Sequence, residues 1–283
     1  MSYLIINADD FGFSQGVNAA IIQAHEEGIL TSTSLMVSGD AAQEAIALAK
    51  NHPQLAVGLH LVLVCGKSVL PPSHIPHLVD SQGNFSHNPT QAGLSYQFNQ
   101  ATRAELRLEI RAQLEKFRDS GLNLAHVDGH LHLHVHPVVL NILTELAPEF
   151  KIKFIRLPSE ELSKNLKIDQ RNLFTKIIWS IVFGQLRRYG EGLLKAHHIK
   201  FADRVYGLLQ TGDMSEKYLL DLIPQIEAEL VEIYSHPALV NTEINSGGEV
   251  ELAALLSQRV RELLTMRGFK LGNYNQLQQF SVL

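Results

Sequence analysis

Short runs of consecutive apolar residues alternate along this chain with longer segments whose apolar positions recur every three to four residues. Residues 3–8, opening Tyr3-Leu4-Ile5-Ile6, predict a strand, and 15–27 predict a helix with Val17, Ala20, Ile21 and Ala24 on one face. A strand over 32–37, an Ala-rich helix over 41–50 and a strand over 55–63 follow. Residues 67–98 are rich in Pro, Ser, His and Asn and read as a loop over one face. A strongly charged helix over 102–120, closed by Gly121, leads to a strand over 124–128. Pro137 suits the first turn of the next helix. After a strand over 151–157 the rhythm breaks through 158–200. It resumes with a strand over 202–206, a helix over 216–230, a strand over 231–235, a helix over 250–266 and a last strand over 269–274.

Repeated strand-then-helix order implies parallel strands joined by right-handed crossovers. Seven or eight such units predict an α/β fold, a closed or nearly closed (β/α) barrel, with an open doubly wound sheet as the alternative. The 283 residues fit one barrel domain spanning 1–283 with a helical insertion at about 158–200. Asp9-Asp10-Phe11-Gly12-Phe13 stands where a glycine-rich dinucleotide fingerprint would follow the first strand.

Composition narrows the classes. Hydrophobic residues at 45% with 19% charged are ordinary for a globular chain and argue against disorder. A net charge of -5 gives no electrostatic reason to expect nucleic acid. One cysteine, Cys65, allows no internal disulfide and no thiolate metal site. The longest apolar stretch, 173–183, carries Lys176 and falls short of the ~20 residues of a spanning helix. No basic region with a signal-length apolar segment opens the chain. The expectation is a soluble, cytoplasmic protein.

Histidine is the outlier: of 14, five fall within 126–136. In a parallel barrel, chemistry collects where strands end. Asp9 and Asp10 follow the first strand, His60 lies toward the end of the third, the cluster begins where the fourth ends, and His236 follows 231–235. His126, Asp128, His130, His132, His134 and His136 alternate with mostly apolar neighbours, which places them on one face of an extended chain. Ten residues of strand span roughly 33 Å. No single ion with ligands at about 2.0–2.2 Å binds both ends. At most one or two of these histidines are ligands; the rest orient ligands, touch substrate or pack.

Each piece has a plainer reading. A paired Asp-Asp is commonly a turn or cap, a lone His60 on an apolar strand a hydrogen-bonded core residue, and the charged helix over 103–116 a solvated outer face. Convergence on one rim favours a hydrolytic metal site. One carboxylate and two imidazoles leave coordination positions for water and a substrate oxygen. A neighbouring carboxylate serves as general base and a histidine opposite as general acid. Two other classes remain open: a metal-dependent amidohydrolase or phosphoesterase on a non-sugar substrate, and a non-catalytic metal-binding protein.

The motifs Asn7-Ala8-Asp9-Asp10-Phe11-Gly12, Gly58-Leu59-His60-Leu61, His126-Val127-Asp128-Gly129-His130-Leu131-His132, Arg156-Leu157-Pro158 and Ser235-His236-Pro237-Ala238 resemble the YdjC-like carbohydrate deacetylases, the ChbG/HpnK family. They run from residue 7 to residue 238 in the family's order; the first and third are the specific ones. The resemblance implies a polysaccharide-deacetylase-like barrel that removes acetate from an N-acetylated amino sugar. By position, Asp10, His60 and His130 would bind one divalent ion, Mg2+ or Zn2+. Asp9 would be the base and His236 the acid. Asp128 and His132 would stand behind the ligands or face substrate, and Arg156 would contact substrate. Imidazole ligands taken alone favour Zn2+ or another transition metal.

The family implies two substrate types, chito-oligosaccharides and N-acetylglucosamine-bearing hopanoid lipids. Within the insertion, Phe174, Ile177, Ile178, Trp179, Ile181, Val182 and Phe183 precede Arg187, Arg188, Lys195, His197, His198 and Lys200. The plain reading is a lid or homodimer helix. The basic flank also suits peripheral membrane or lipid contact through 173–200, and the long histidine run and this insertion look more like the hopanoid branch.

Overall fold

A strand can pair in parallel with its predecessor only after a crossover of a dozen or more residues, and helices supply it. The computed structural model describes residues 2–239 and 247–277. Its elements are β1 (Tyr3–Phe11), α1 (Gln15–Glu26), β2 (Ser32–Leu35), α2 (Ala42–Asn51), β3 (Ala56–Leu61), α3 (Pro89–Phe98), α4 (Gln100–Asp119), β4 (Val127–Gly129), α5 (Pro137–Phe150), α6 (Leu162–Ile168) and α7 (Leu173–Ala196). After them come β5 (Arg204–Tyr206), α8 (Glu216–Leu222), β6 (Leu230–Ser235), α9 (Gly248–Leu256), α10 (Gln258–Met266), β7 (Lys270–Leu271) and α11 (Tyr274–Leu277).

The strands form one parallel sheet in the order β4-β3-β2-β1-β6-β5, with β7 beside the start of β1. β1 is buried from Leu4 to Phe11, as a central strand covered on both faces must be. The predicted face of α1 (Val17, Ala20, Ile21 and Ala24) is buried in the same core as Leu4, Ile6 and Ala8 of β1.

The expected ladder of seven or eight strands around a closed barrel is not continuous. Beyond β4 the linkage consists of single bridges, Val127 to Ile155 and Phe154 to Lys200, the latter just ahead of β5. Both outer strands of a flat sheet could not reach one intervening segment, so the sheet is curled. Residues 151–157, expected as a strand, provide only this link. Lys151 takes a left-handed φ of 56° as it leaves α5, and Pro158 cuts off the other end.

Other boundaries moved for local reasons. Within the expected loop 67–98, α3 starts on Pro89, capped by the Asn88 side chain, which accepts from the Gln91 amide. Its Gly and Ser content gives no helical stripe. Pro224, which has no amide hydrogen, stands two residues beyond the end of α8. The expected helix over 250–266 is two, because Ser257 turns extended (ψ 120°) and its hydroxyl caps α10. Among the described residues no helix is long and apolar enough to cross a membrane.

The charged helix α4 is more than a solvated face. Its buried Glu109 accepts from the Val69 and Leu70 amides at 2.8 and 3.0 Å. Glu105 accepts from the His77 amide, and Gln113 exchanges hydrogen bonds with Val62 at 3.0 and 2.7 Å. These side chains hold the stretch that leaves β3. Replacing Glu109 by Leu strands two amides and is expected to cost about 2–3 kcal/mol in urea denaturation; an unchanged midpoint would refute this anchoring role.

Candidate active site

Neighbouring residues on a strand point to opposite faces, so Asp9 and Asp10 should diverge. A bulge removes the conflict. Pairing of β1 with β2 runs Asn7 to Ser32, Ala8 to Thr33, then Phe11 to Leu35, one extra residue on β1. Asp10 sits in the bulge with a left-handed φ of 64°, a conformation costing roughly 1–2 kcal/mol for a residue with a Cβ. Both buried carboxylates therefore serve one site.

His60 of β3 stands directly across from Asp128 of β4. Its Nδ1 donates to Asp128 Oδ1 at 2.8 Å, and its Nε2 lies 3.3 Å from Asp10 Oδ1. His130 brings Nδ1 to 3.0 Å from the same oxygen. One ligand atom from each of Asp10, His60 and His130 lies within 4.8 Å of the others. Ligands about 2.1 Å from a shared ion stand roughly 3.0–3.4 Å apart, so these spacings fit a small divalent cation without selecting its coordination number. The carboxylate behind His60 fixes the tautomer that leaves Nε2 free, the usual arrangement for a ligating imidazole.

Asp9, His60 and Asp128 also cluster within 4.8 Å, but that space already holds a cation. Arg156 forks onto Asp9 at 2.7 and 2.8 Å, reaches Asp128 at 2.8 Å and Glu232 at 2.6 Å, and is buried with all three. Expected as a substrate contact, Arg156 is an internal clamp out of reach of solvent. In the cluster of Asp10, His60 and His130, only His130 is partly exposed.

The histidine run does not stay extended. β4 ends at Gly129 and a 3-10 turn covers His130–Val135, with Leu131 and His132 left-handed at φ 49° and 58°. Gly129 permits the turn: a Cβ there would lie 2.9 Å from the Leu61 carbonyl oxygen. The five histidines consequently separate. Only His130 reaches Asp10. His126 lies beneath, stacked on Tyr274 at 4.1 Å, and Gly58 makes room, since a Cβ would come within 2.3 Å of the imidazole. Ser34 donates to Asp128 at 2.7 Å, so at its 3.0 Å contact His126 Nε2 is the donor. His132 Nε2 meets the Tyr234 hydroxyl at 2.8 Å, His134 Nε2 donates to the Arg156 carbonyl at 3.0 Å, and His136 caps α5.

Charge follows geometry. Burial opposes the charge of His60, yet Asp128 and Asp10 outweigh it and push its pKa up to about 10; a cation bound at Asp10 competes with that proton. Burial likewise works against the Asp10 carboxylate, but His130 and His60 hold it well below the usual range. Burial, with His134 and Arg156 nearby, keeps His132 well below the ordinary imidazole value, and burial takes His134 down to about 4. Neutral His132 and His134 avoid adding cations beside Arg156.

His236 follows β6 with Nε2 3.9 Å from Asp9 Oδ2 and Nδ1 3.9 Å from Glu251 Oε2. Both separations are too long for hydrogen bonds, and the ring is partly exposed at the mouth. A cleft of about 590 Å³ is lined by Phe13, Met36, Val62, Lys67, Asn84 and His87. It adjoins the aspartates, since the Phe13 amide donates to the Asp10 carbonyl at 3.0 Å.

A family profile described as YdjC-like protein matches residues 3–266. The chain belongs to the YdjC-like family. A carbohydrate deacetylase of Brevibacillus brevis is 34% identical over 271 residues, covering 96% of this chain and 93% of the relative. One from Geobacillus stearothermophilus is 31% identical over 280 residues, with 97% of each covered. The crystal structure of a putative cellobiose-phosphate cleavage protein from Enterococcus faecalis V583 superposes with a TM-score of 0.77 at 29% identity, covering 98% of both chains. In this YdjC-like chain the motif residues Asp10, His60 and His130 meet, while Asp9, Asp128 and Arg156 form the ion cluster next to them.

Sequence reasoning missed Asn7, Ser34, Glu232, Tyr274 and Glu251 as site supports. Asn7 holds both Asp9 and Ser34, at 2.8 and 2.9 Å. Tyr274 donates to Glu232 from below. Glu232 had a usable signal, a lone charge within the apolar run Val231-Glu232-Ile233-Tyr234; Glu251, which accepts from the His236 amide, had none. Arg156→Met leaves three buried carboxylates facing one another and is expected to cost about 3–5 kcal/mol. Thermal and urea unfolding measure this, and wild-type stability in that variant would contradict the clamp.

Proposed function

We propose that this protein is a divalent-metal-dependent deacetylase that hydrolyses the N-acetyl group of an N-acetylglucosamine-containing saccharide or glycolipid, acting in the cytoplasm. The observation that carries the reading is the meeting of one carboxylate and two imidazoles, Asp10, His60 and His130, from three separate segments. The carbohydrate deacetylases among its relatives supply the substrate class. We take the curled sheet as a seven-stranded (β/α) barrel completed through Phe154, Ile155 and Lys200, one domain in which α6 and α7 are the insertion.

Asp10, His60 and His130 would hold the ion, Mg2+ or Zn2+. When bound, it supplies polarisation of the amide carbonyl and a lowered pKa for the attacking water. Asp9 acts as general base: its carboxylate is aligned by the Arg156 fork and the Asn7 amide, so the oxygen that takes the water's proton is fixed in place. His236, across from Asp9 and open to the mouth, donates a proton to the departing amine. Asp128 orients His60. His132 is kept neutral against Tyr234 and shapes the wall next to the substrate. A phosphoesterase with two ions is disfavoured, because the second donor group is already filled by Arg156.

Acetate release from chitobiose and from an N-acetylglucosaminyl lipid, after loading with Zn2+ or Mg2+, tests the reading. Chelation should abolish release and added metal restore it. Acetate from neither compound, with two ions bound per chain, would move the assignment to the phosphoesterases.

Asp9→Asn is expected to lower kcat on the order of 10²–10⁴-fold with metal content unchanged. Loss of metal in that variant would reverse the roles of Asp9 and Asp10. His236→Ala should slow turnover by about 10²-fold or more and leave the ion in place; a wild-type rate would remove its acid role.

A further inference from the structure

Four hydroxyl residues stand in a row where the chain enters β2, Thr31-Ser32-Thr33-Ser34. Three of them turn to neighbouring backbone. The Thr31 hydroxyl bonds the amide and carbonyl of Ile6 at 3.1 and 3.2 Å. Ser32 donates to the Ala56 carbonyl at 3.2 Å and Thr33 to the Ala8 carbonyl at 2.7 Å. Ser34 meets side chains instead. Its Oγ donates to Asp128 Oδ2 at 2.7 Å and accepts from Asn7 Nδ2 at 2.9 Å and His126 Nε2 at 3.0 Å. A hydroxyl has one proton and two lone pairs. This one, fully buried, uses all three.

Charge forces the direction of each bond. Asn7 Nδ2 also donates to Asp9 Oδ1 at 2.8 Å, so turning the amide over would set its oxygen against that carboxylate. A proton moved from Nε2 to Nδ1 of His126 would leave a bare nitrogen 3.6 Å from Asp128 Oδ2 and draw the Ser34 proton away from it. Every donor in the network therefore points toward a carboxylate. On the reverse sides, Asn7 Oδ1 and His126 Nδ1 have no hydrogen-bond partner among the described residues. Buried acceptors left bare lower stability, and packing alone gives no reason for such a lopsided arrangement.

We propose that the Ser34 hydroxyl positions both halves of the site at once. One arm runs through Asp128, whose other oxygen accepts from His60 Nδ1 at 2.8 Å, and keeps His60 Nε2 turned to Asp10. The second arm runs through the Asn7 amide and aligns Asp9. His126 fills the remaining lone pair and so commits the Ser34 proton to Asp128. The inference rests on the reading of Asp10, His60 and His130 as the holders of an ion and Asp9 as the base.

Two measurements test it. Nitrogen NMR of the histidine-labelled wild-type chain needs no variant: His126 should have its proton on Nε2, and a proton on Nδ1 overturns the proposal. In Ser34→Ala, Zn2+ affinity, read by competition with a chromophoric chelator, should fall about tenfold. That is the low end for a group behind a ligand, since Arg156 still holds Asp128 Oδ2 at 2.8 Å. With Zn2+ saturating, kcat for acetate release should also drop about tenfold with KM unchanged. Asn7→Ala cuts only the second arm and should lower kcat while Zn2+ affinity stays. Ser34→Thr, which keeps the hydroxyl, should recover more affinity than Ser34→Cys, which keeps the size with a weak donor. Unchanged Zn2+ affinity in Ser34→Ala, or the same losses in both alanine variants, overturns this inference alone. A wild-type chain that takes up no Zn2+ overturns it together with the deacetylase reading.

Discussion

The guanidinium of Arg156 holds the centre of this molecule together. It touches Asp9 of β1, Asp128 of β4 and Glu232 of β6, three buried carboxylates. Buried carboxylates without a counter-charge are destabilising by several kcal/mol each. A lysine could face one of them; the planar fork serves all three. Arg156 also lies in the short segment whose isolated bridges join β4 to the approach of β5. The weakest part of the curled sheet is thereby fastened from within by its strongest ion cluster.

Strain gathers around that centre. Asp10, Leu131 and His132 are left-handed non-glycine residues within two site segments. Such conformations persist only where surrounding contacts over-determine them. His60 and His130 hold Asp10 from one side. The Tyr234 hydroxyl holds His132, and the Arg156 carbonyl holds His134 just beyond. The strain re-aims side chains that regular strand geometry would have sent to opposite faces.

Much of this was legible in the chain. The strand-then-helix rhythm gave parallel order, and strand ends located Asp9, Asp10, His60, His130 and His236 on one rim. The histidine alternation misled because period two describes a strand only while the backbone stays extended; Gly129 followed by two left-handed residues ends it. Arg156 misled for a different reason. A sequence shows that an arginine ends a strand, but the carboxylates that swallow it come from positions 9, 128 and 232, and only the fold brings them together. Helix α3 was hidden by its composition, and the link at 154–156 by its brevity. The Glu105 and Glu109 side chains of α4 looked like solvent groups because their partners are backbone amides, which every residue type supplies alike.

The adjacent aspartates draw these threads into one mechanism-level argument. Without the bulge, one of the pair would face the helices and the site would have a single carboxylate. With it, Asp9 turns to a cation that is part of the chain and Asp10 to the cluster it forms with His60 and His130. On the proposed reading the two carboxylates then differ in kind. Asp9 has a permanent counter-charge, so its position is set before any ion or substrate arrives. Asp10 has only imidazoles, whose protons an incoming divalent ion can displace. A base must stay aligned through turnover and a ligand must be able to exchange, and the placement of one arginine separates those tasks between neighbours in sequence.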